Sequence, residues 1–194
     1  MSIDVTVTAR YDSLKDRVVI ITGGGQGIGR GYAHHFAQQG AIPVIAELNG
    51  ENGEKVKREI EDAGGRAYAF QTDVSSMPSV TETVEATLSA TGRVDVLINN
   101  AAVFSQITMA PFWELPLDEW DSAMKVNITG SFYCARAVVP AMQENKWGRI
   151  VNVTSGTVAP GSANYLHYIT SKSAMIGMTR SMAFRLAKEN VRVN

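Results

Sequence analysis

The sequence has little of what would point to an unusual protein. A single cysteine, Cys134, excludes an internal disulfide and fits a reducing compartment. Only three histidines are present, and no Cys/His/Asp cluster has ligand spacing, so no metal site is expected. A formal net charge of -1 gives no electrostatic reason to expect nucleic acid or an anionic membrane as partner. No apolar run approaches the ~20 residues of a membrane-spanning helix. Met1 to Arg17 carries Asp4, Asp12 and Asp16 and lacks the apolar core of a signal peptide. Hydrophobic residues at 45% and charged residues at 19% suit an ordinary globular chain, and 194 residues suit one domain. The expectation is a soluble, cytoplasmic, single-domain protein.

Residues 1–16 read as a polar lead-in, and residues 17–194 as the domain. Val18 to Ile21 is short, β-branched and without polar alternation, the pattern of a strand buried on both faces. Strands are expected again at 41–47, 66–72, 94–99, 148–154 and from 191. Between them come amphipathic helices at 30–39, 51–63, 77–91, 117–142 and 165–189. Pro43 inside the second strand argues against regular pairing there. Residues 104–116, with Pro, Phe and Trp but no period, read as a surface loop. Strands alternating with helices predict a doubly wound parallel sheet covered on both faces, the Rossmann type of α/β fold.

The first strand runs straight into Thr22-Gly23-Gly24-Gly25-Gln26-Gly27-Ile28-Gly29. Glycines between a strand and a helix let the backbone approach a pyrophosphate at the positive helix end. The spacing of Gly23, Gly27 and Gly29 is looser than the commonest dinucleotide fingerprint, and the bland reading is a tight strand-to-helix turn. Glu47, ending the second strand, is placed to accept hydrogen bonds from the adenosine ribose. It would repel a 2′-phosphate, and no Arg or Lys beside it compensates. The cofactor expected is therefore NAD rather than NADP.

Tyr168 and Lys172 stand four apart on one helix face. A free phenol ionises near pH ~10, and an adjacent ammonium favours the phenolate, which makes a tyrosine serviceable as an acid/base. Tyr11 and Lys15 share that spacing with nothing to suggest chemistry, so context decides. Ser155, thirteen residues upstream of Tyr168, ends a strand.

Taken together these residues resemble the short-chain dehydrogenase/reductase family, from about Leu14 to the end of the sequence. Thr22 to Gly29 matches the family's Thr-Gly-x-x-x-Gly-x-Gly. Asp73-Val74 matches the pair placed against the adenine ring. Asn99-Asn100-Ala101-Ala102 corresponds to Asn-Asn-Ala-Gly, with Ala102 where glycine is usual. Asn127, Ser155, Tyr168 and Lys172 match the catalytic tetrad in order. The resemblance implies cofactor contacts from Thr22, Gly23, Gln26, Gly27, Ile28, Gly29, Glu47, Asp73, Val74, Asn100, Ala101, Tyr168 and Lys172. Tyr168 is then the proton donor and acceptor, and Ser155 holds the carbonyl oxygen. Lys172 serves the tyrosine and the nicotinamide ribose, while Asn127 anchors a water leading to solvent. The stretches 147–155 and 167–180 look most like secondary-alcohol dehydrogenases acting on aryl or cyclic ketones.

These expectations define an NAD(H)-dependent oxidoreductase interconverting a secondary alcohol and a ketone. The rivals are a 3-oxoacyl-thioester (acyl carrier protein) reductase and a non-catalytic nucleotide-binding protein on the same fold. By resemblance the helices at 117–142 and 165–189 pair copies into a dimer or, more readily, a tetramer. Family members continue past the strand at 191–194 with a Pro-Gly turn, a substrate-covering loop and another strand, so a longer working protein is expected. His34, His35, His167 and Cys134 are expected to be structural, with His167 on a different helix face from Tyr168, and Tyr165 to line the pocket at most.

Overall fold

The computed structural model describes residues 9–104 and 107–194. The first half of the lead-in, residues 1–8, lies outside the described residues, as do positions 105 and 106 of the loop after the fourth strand. Within the lead-in, Asp12–Leu14 forms one 3-10 turn.

Six parallel strands form one sheet: β1 (Val18–Thr22), β2 (Ile42–Glu47), β3 (Tyr68–Gln71), β4 (Val96–Asn99), β5 (Gly148–Asn152) and β6 (Val191–Val193). Their spatial order, β3-β2-β1-β4-β5-β6, reverses direction at β1. That reversal opens a crevice beyond the carboxyl ends of β1 and β4, where ligands bind in open α/β sheets. The doubly wound α/β fold read from the sequence is the fold observed.

The alternation along β1 explains the two layers. Val18 and Ile20 face a core shared with Val84, Cys134, Val138, Met142 and Leu186, while Val19 and Ile21 face Ala33, Val56 and Ile60. Helices α1 (Gly27–Gln38) and α2 (Gly50–Asp62) therefore cover one face. The other is covered by α3 (Met77–Thr91), α5 (Ser131–Glu144) and α6 (Leu166–Leu186). Asn49 caps α2 by accepting from the amides of Glu51 and Asn52, and Ser76 caps α3. Gly92, at φ 73°, takes the left-handed C-terminal position that ends α3.

Two local readings needed correction. Pro43 does not disturb pairing: β2 stays in register, with Pro43 opposite Val19. The amide of Ile42 donates toward β1, to Arg17 O at 2.8 Å. Pro43 therefore turns its donor-less nitrogen the other way, toward β3, whose ladder starts only at Val44 opposite Tyr68. The expected helix at 117–142 is also not uniform. It consists of α4 (Leu117–Ala123), a π-helical stretch Met124–Gly130 and α5, and it extends to Glu144. At its end Gly130 lies against Val74, where an added Cβ would come within 2.9 Å of Val74 Cγ2. At the opposite end of the sheet Asp95 is buried and accepts from Arg17, Arg93 and the amide of Val18. Burial opposes its charge, but these hydrogen bonds outweigh it and hold the carboxyl below the usual range.

Candidate active site

The crevice at the switch point is a cleft of about 560 Å³, lined among others by Gly23, Gln26, Gly27, Glu47, Asp73 and Asn100. It continues past Val103 to Phe104, beside Tyr168. Three glycines shape its floor for different reasons. Gly23 has φ +63° and lies 3.0 Å, at its would-be Cβ, from Ala101 Cα. A Cβ on Gly29 would fall 2.1 Å from the Gly23 carbonyl oxygen, so the first turn of α1 closes on the loop only without a side chain. Gly27, at φ +52°, has open space where a Cβ would stand. No side chain caps α1 at Gln26, so the positive end of the helix lacks a side-chain acceptor of its own. An open N-terminus, bare backbone and a large cleft suit a pyrophosphate. A nicotinamide dinucleotide fits these residues.

Glu47 borders the cleft, 7% exposed, and its carboxylate accepts from the amides of Gly25 at 2.9 Å and Asn49 at 3.2 Å. Two backbone donors fix the carboxylate and leave lone pairs over. Gln26 at the end of the loop and Ile28 in the first turn of α1 are exposed. Asp73 accepts from the amide of Ser75 at 2.8 Å, and Val74 is buried beside it. Thr22 and Asn100 act as braces within the protein. The Thr22 hydroxyl donates to Ile98 O and accepts from the amides of Asn100 and Ala101. Asn100 Nδ2 donates to the carbonyls of Thr22 and Gly23. The Thr22 side chain is thus directed at β4 and away from the cleft.

At the far end, α6 places Tyr168 and Lys172 one turn apart. The Lys172 Nζ lies 5.8 Å from the Tyr168 ring centroid and donates to Val153 O at 2.7 Å. Lys172 is 2% exposed, and desolvation alone pushes its ammonium down to about 8. Ser155 follows β5, where its Oγ is within 2.8 Å of Thr157 Oγ1 and accepts from the Thr157 amide at 3.2 Å. Among the described residues its bonds go to Thr157, not to Tyr168. Asn127, fully buried in the π-helical stretch, is held on both sides. Its Oδ1 accepts from the Val103 amide at 2.8 Å, and its Nδ2 donates to Ser171 Oγ at 2.9 Å. Ser171 in turn donates to Tyr168 O at 2.7 Å. Asn127 therefore ties the loop after β4 to the helix of Tyr168 and Lys172. The π-helical widening suits this, because such turns re-aim side chains at functional sites.

Several participants were missed from the sequence: Val103, Val153, Thr157 and Ser171. Ser171 lies between Tyr168 and Lys172 in the sequence, but only the fold reveals its partner. A second polar chain, Asn99 Nδ2 to Asn152 Oδ1 and Asn152 Nδ2 to Thr179 Oγ1 (both 2.8 Å), links β4 and β5 to α6 below the site. Cys134 is buried, its thiol pushed up to about 12 by desolvation. His34 lies 3.0 Å from Glu59 and His35 bonds Gly31 O. Among the described residues no group of three or more His, Cys, Asp or Glu could hold a metal ion, and no helix is long and apolar enough to cross a membrane.

A switch-point cleft with bare glycine backbone at one end and a buried lysine beneath a tyrosine at the other defines a dinucleotide-binding oxidoreductase. The sequence matches the family described as short chain dehydrogenase over residues 17–194. The chain belongs to that family. It is 36% identical over 180 residues to an uncharacterized oxidoreductase of Thermotoga maritima, covering 93% of this chain and 69% of that one. It is 34% identical over 181 residues to the same organism's 3-oxoacyl-(acyl-carrier-protein) reductase, covering 93% and 72%. Among solved structures, an NAD+-bound xylitol dehydrogenase superposes with a TM-score of 0.89 at 34% identity, over 93% of this chain and 69% of the other.

Proposed function

We propose that this chain carries an NAD(H)-dependent site interconverting a secondary alcohol and a ketone, with Tyr168, Lys172, Ser155 and Asn127 in the roles their positions suggest. The observation carrying this is the buried, carboxylate-free Lys172 directly below Tyr168, at the end of the dinucleotide cleft. The bound dinucleotide supplies the hydride-exchanging centre. Tyr168 gives a proton to the carbonyl oxygen in reduction and takes it back in oxidation. Lys172 sets a positive charge beside that phenol, and its contact with Val153 O fixes where the charge sits. Ser155 Oγ turns from Thr157 to donate to the substrate oxygen, where negative charge gathers. Asn127 holds Val103 and Ser171, and through them the spacing between loop and α6.

NAD preference follows from Glu47, whose fixed carboxylate meets ribose hydroxyls well and a 2′-phosphate badly. Calorimetry is expected to give NADH at least about tenfold tighter binding than NADPH, roughly 1.4 kcal/mol, with Glu47→Ala narrowing the gap. Equal or stronger NADPH binding refutes this part.

The chemistry is tested by Tyr168→Phe, expected to abolish turnover of secondary alcohols while NADH affinity holds. Near-normal kcat in that variant moves the proton donor elsewhere. The named activity of one T. maritima relative supports a second reading, 3-oxoacyl-thioester reduction. An acetoacetyl thioester assayed beside simple ketones separates the two.

A further inference from the structure

His167, immediately before Tyr168, is fully buried, and neither ring nitrogen has a hydrogen-bond partner among the described residues. Buried polar groups in native proteins are paired with few exceptions, and an unpaired one carries a desolvation penalty. A fully buried imidazole without a hydrogen-bond partner among the described residues therefore asks for a reason. Across from it on α4 stands Glu119, whose Oε2 is 3.8 Å from His167 Nε2, just beyond hydrogen-bond reach. That carboxylate is already gripped on its other side. Thr108 donates to it twice, from its amide at 2.7 Å and its hydroxyl at 2.5 Å. The grip holds the carboxyl of Glu119 below its usual range, through the Thr108 hydroxyl first and its amide second. Thr108 belongs to the loop after β4, the loop that also presents Val103 to Asn127 and Phe104 to Tyr168 at 4.6 Å between rings.

We propose that Glu119 and His167 are positioning residues that tie the loop after β4 to the catalytic helix. Glu119 holds Thr108 with both oxygens, and Oε2 keeps a lone pair for a hydrogen bond from His167 Nε2–H. A movement of under about 1 Å converts the present separation into that bond. When it forms, the loop and the first turn of α6 become one body, and the space between Phe104 and Tyr168 is set. Asn127 makes the same kind of tie deeper in the site, so the loop is held at two points along its length. The dependence on the proposed reaction is confined to the kinetic readout below.

The test uses His167→Leu, Glu119→Gln and the double variant. Leucine at 167 removes both unpaired nitrogens, so a purely structural histidine predicts a protein as stable or more stable, with an unchanged loop. The tie predicts otherwise. Amide hydrogen exchange, followed by mass spectrometry, is expected to speed up by about tenfold across residues 107–116 in each single variant, as loss of one such bond implies. The double variant is expected to go no further, because partners in one link are non-additive. With 1-phenylethanol and cyclohexanol as probes, KM rises in both single variants while kcat and NADH affinity hold. Unchanged exchange at 107–116 overturns the proposal, as does unchanged KM in an active enzyme. If the unmodified protein turns over neither alcohol, the proposed reaction fails and exchange alone decides the tie. Should His167→Leu not fold, Glu119→Gln at its partly exposed position decides by the same readouts.

Discussion

Replacing Lys172 by methionine separates what the buried charge does for stability from what it does for chemistry. Methionine keeps the length and most of the volume of the side chain and removes the ammonium. Burial lowers the Lys172 pKa from 10.5 to about 8. At 1.36 kcal/mol per unit, the folded protein carries about 3 kcal/mol of unfavourable charge burial at neutral pH. The hydrogen bond to Val153 O fixes where the ammonium sits and is already part of that net balance, so Lys172→Met at pH 7 is expected to be more stable than the parent by up to about 3 kcal/mol. The pH dependence is more telling. Below pH 8 the lysine is charged in both folded and unfolded states and the full penalty applies. Between pH 8 and 10.5 the folded state releases its proton first, so the unfolded state binds more protons and parent stability rises with pH. The parent should gain about 3 kcal/mol on the variant across that window. Urea titrations of both proteins at pH 7, 8, 9 and 10, compared through midpoints at constant slope, measure it. Titrating groups remote from Lys172 cancel in the difference, and Tyr168, beside it, is taken out of the comparison by measuring both proteins on a Tyr168→Phe background. A parent-minus-variant gap that stays flat from pH 7 to 10 refutes the reading of Lys172 as a desolvated cation.

Two further substitutions test the frame around the site. Gly29→Ala places a methyl 2.1 Å from the Gly23 carbonyl oxygen and must push the loop outward; about 1–3 kcal/mol of stability should be lost in urea, with weaker NADH binding by calorimetry. Asp95→Asn leaves Arg17 and Arg93 without a charged partner at a buried position. Because both guanidiniums stay partly in water, it should lose about 1–2 kcal/mol at pH 7. Because the folded-state pKa of Asp95 is depressed, its contribution is complete above the unfolded value near ~3.9 and disappears as pH falls through the lower folded value. Parent and variant should therefore converge in acid, and a constant difference down to pH 2–3 would contradict the assignment.

The strand alternation made the fold legible in advance, and the order of motifs named the candidate residues that the fold gathers around the cleft. Short β-branched runs such as Val18–Ile21 can only be strands buried on both faces, and a glycine loop between strand and helix has few other readings. Legibility failed wherever the answer lay across space. Nothing local says that the Thr22 hydroxyl turns to Ile98 and the amides of Asn100 and Ala101, because those partners lie nearly eighty positions away. The Pro43 objection was sound in general but lacked one fact, which neighbour its nitrogen faces. Within the helix at 117–144, Val126-Asn127-Ile128-Thr129-Gly130 is a run of poor helix formers, but propensity alone does not tell a widened turn from a kink. Asn127 was found by motif, yet its partners Val103 and Ser171 were not, since one belongs to a loop and the other to a different helix.

The widened turn at Met124–Gly130 also acts as a phase shift between the two halves of one rod. In an unbroken α-helix each residue advances about 100° around the axis. The looser π-helical winding retards that advance, so α4 and α5 face directions that no single regular helix could give them together. Glu119 consequently looks toward α6 and His167, while Cys134, Val138 and Met142 look into the sheet. Forcing ordinary α-helical winding on all seven residues of this segment would leave the sequence unchanged and turn one half against the other. Either the carboxylate would lose sight of the loop, or the core of α5 would roll off the strands it covers. The helix thus works as a gear between the sheet, which demands one orientation, and the substrate side, which demands another.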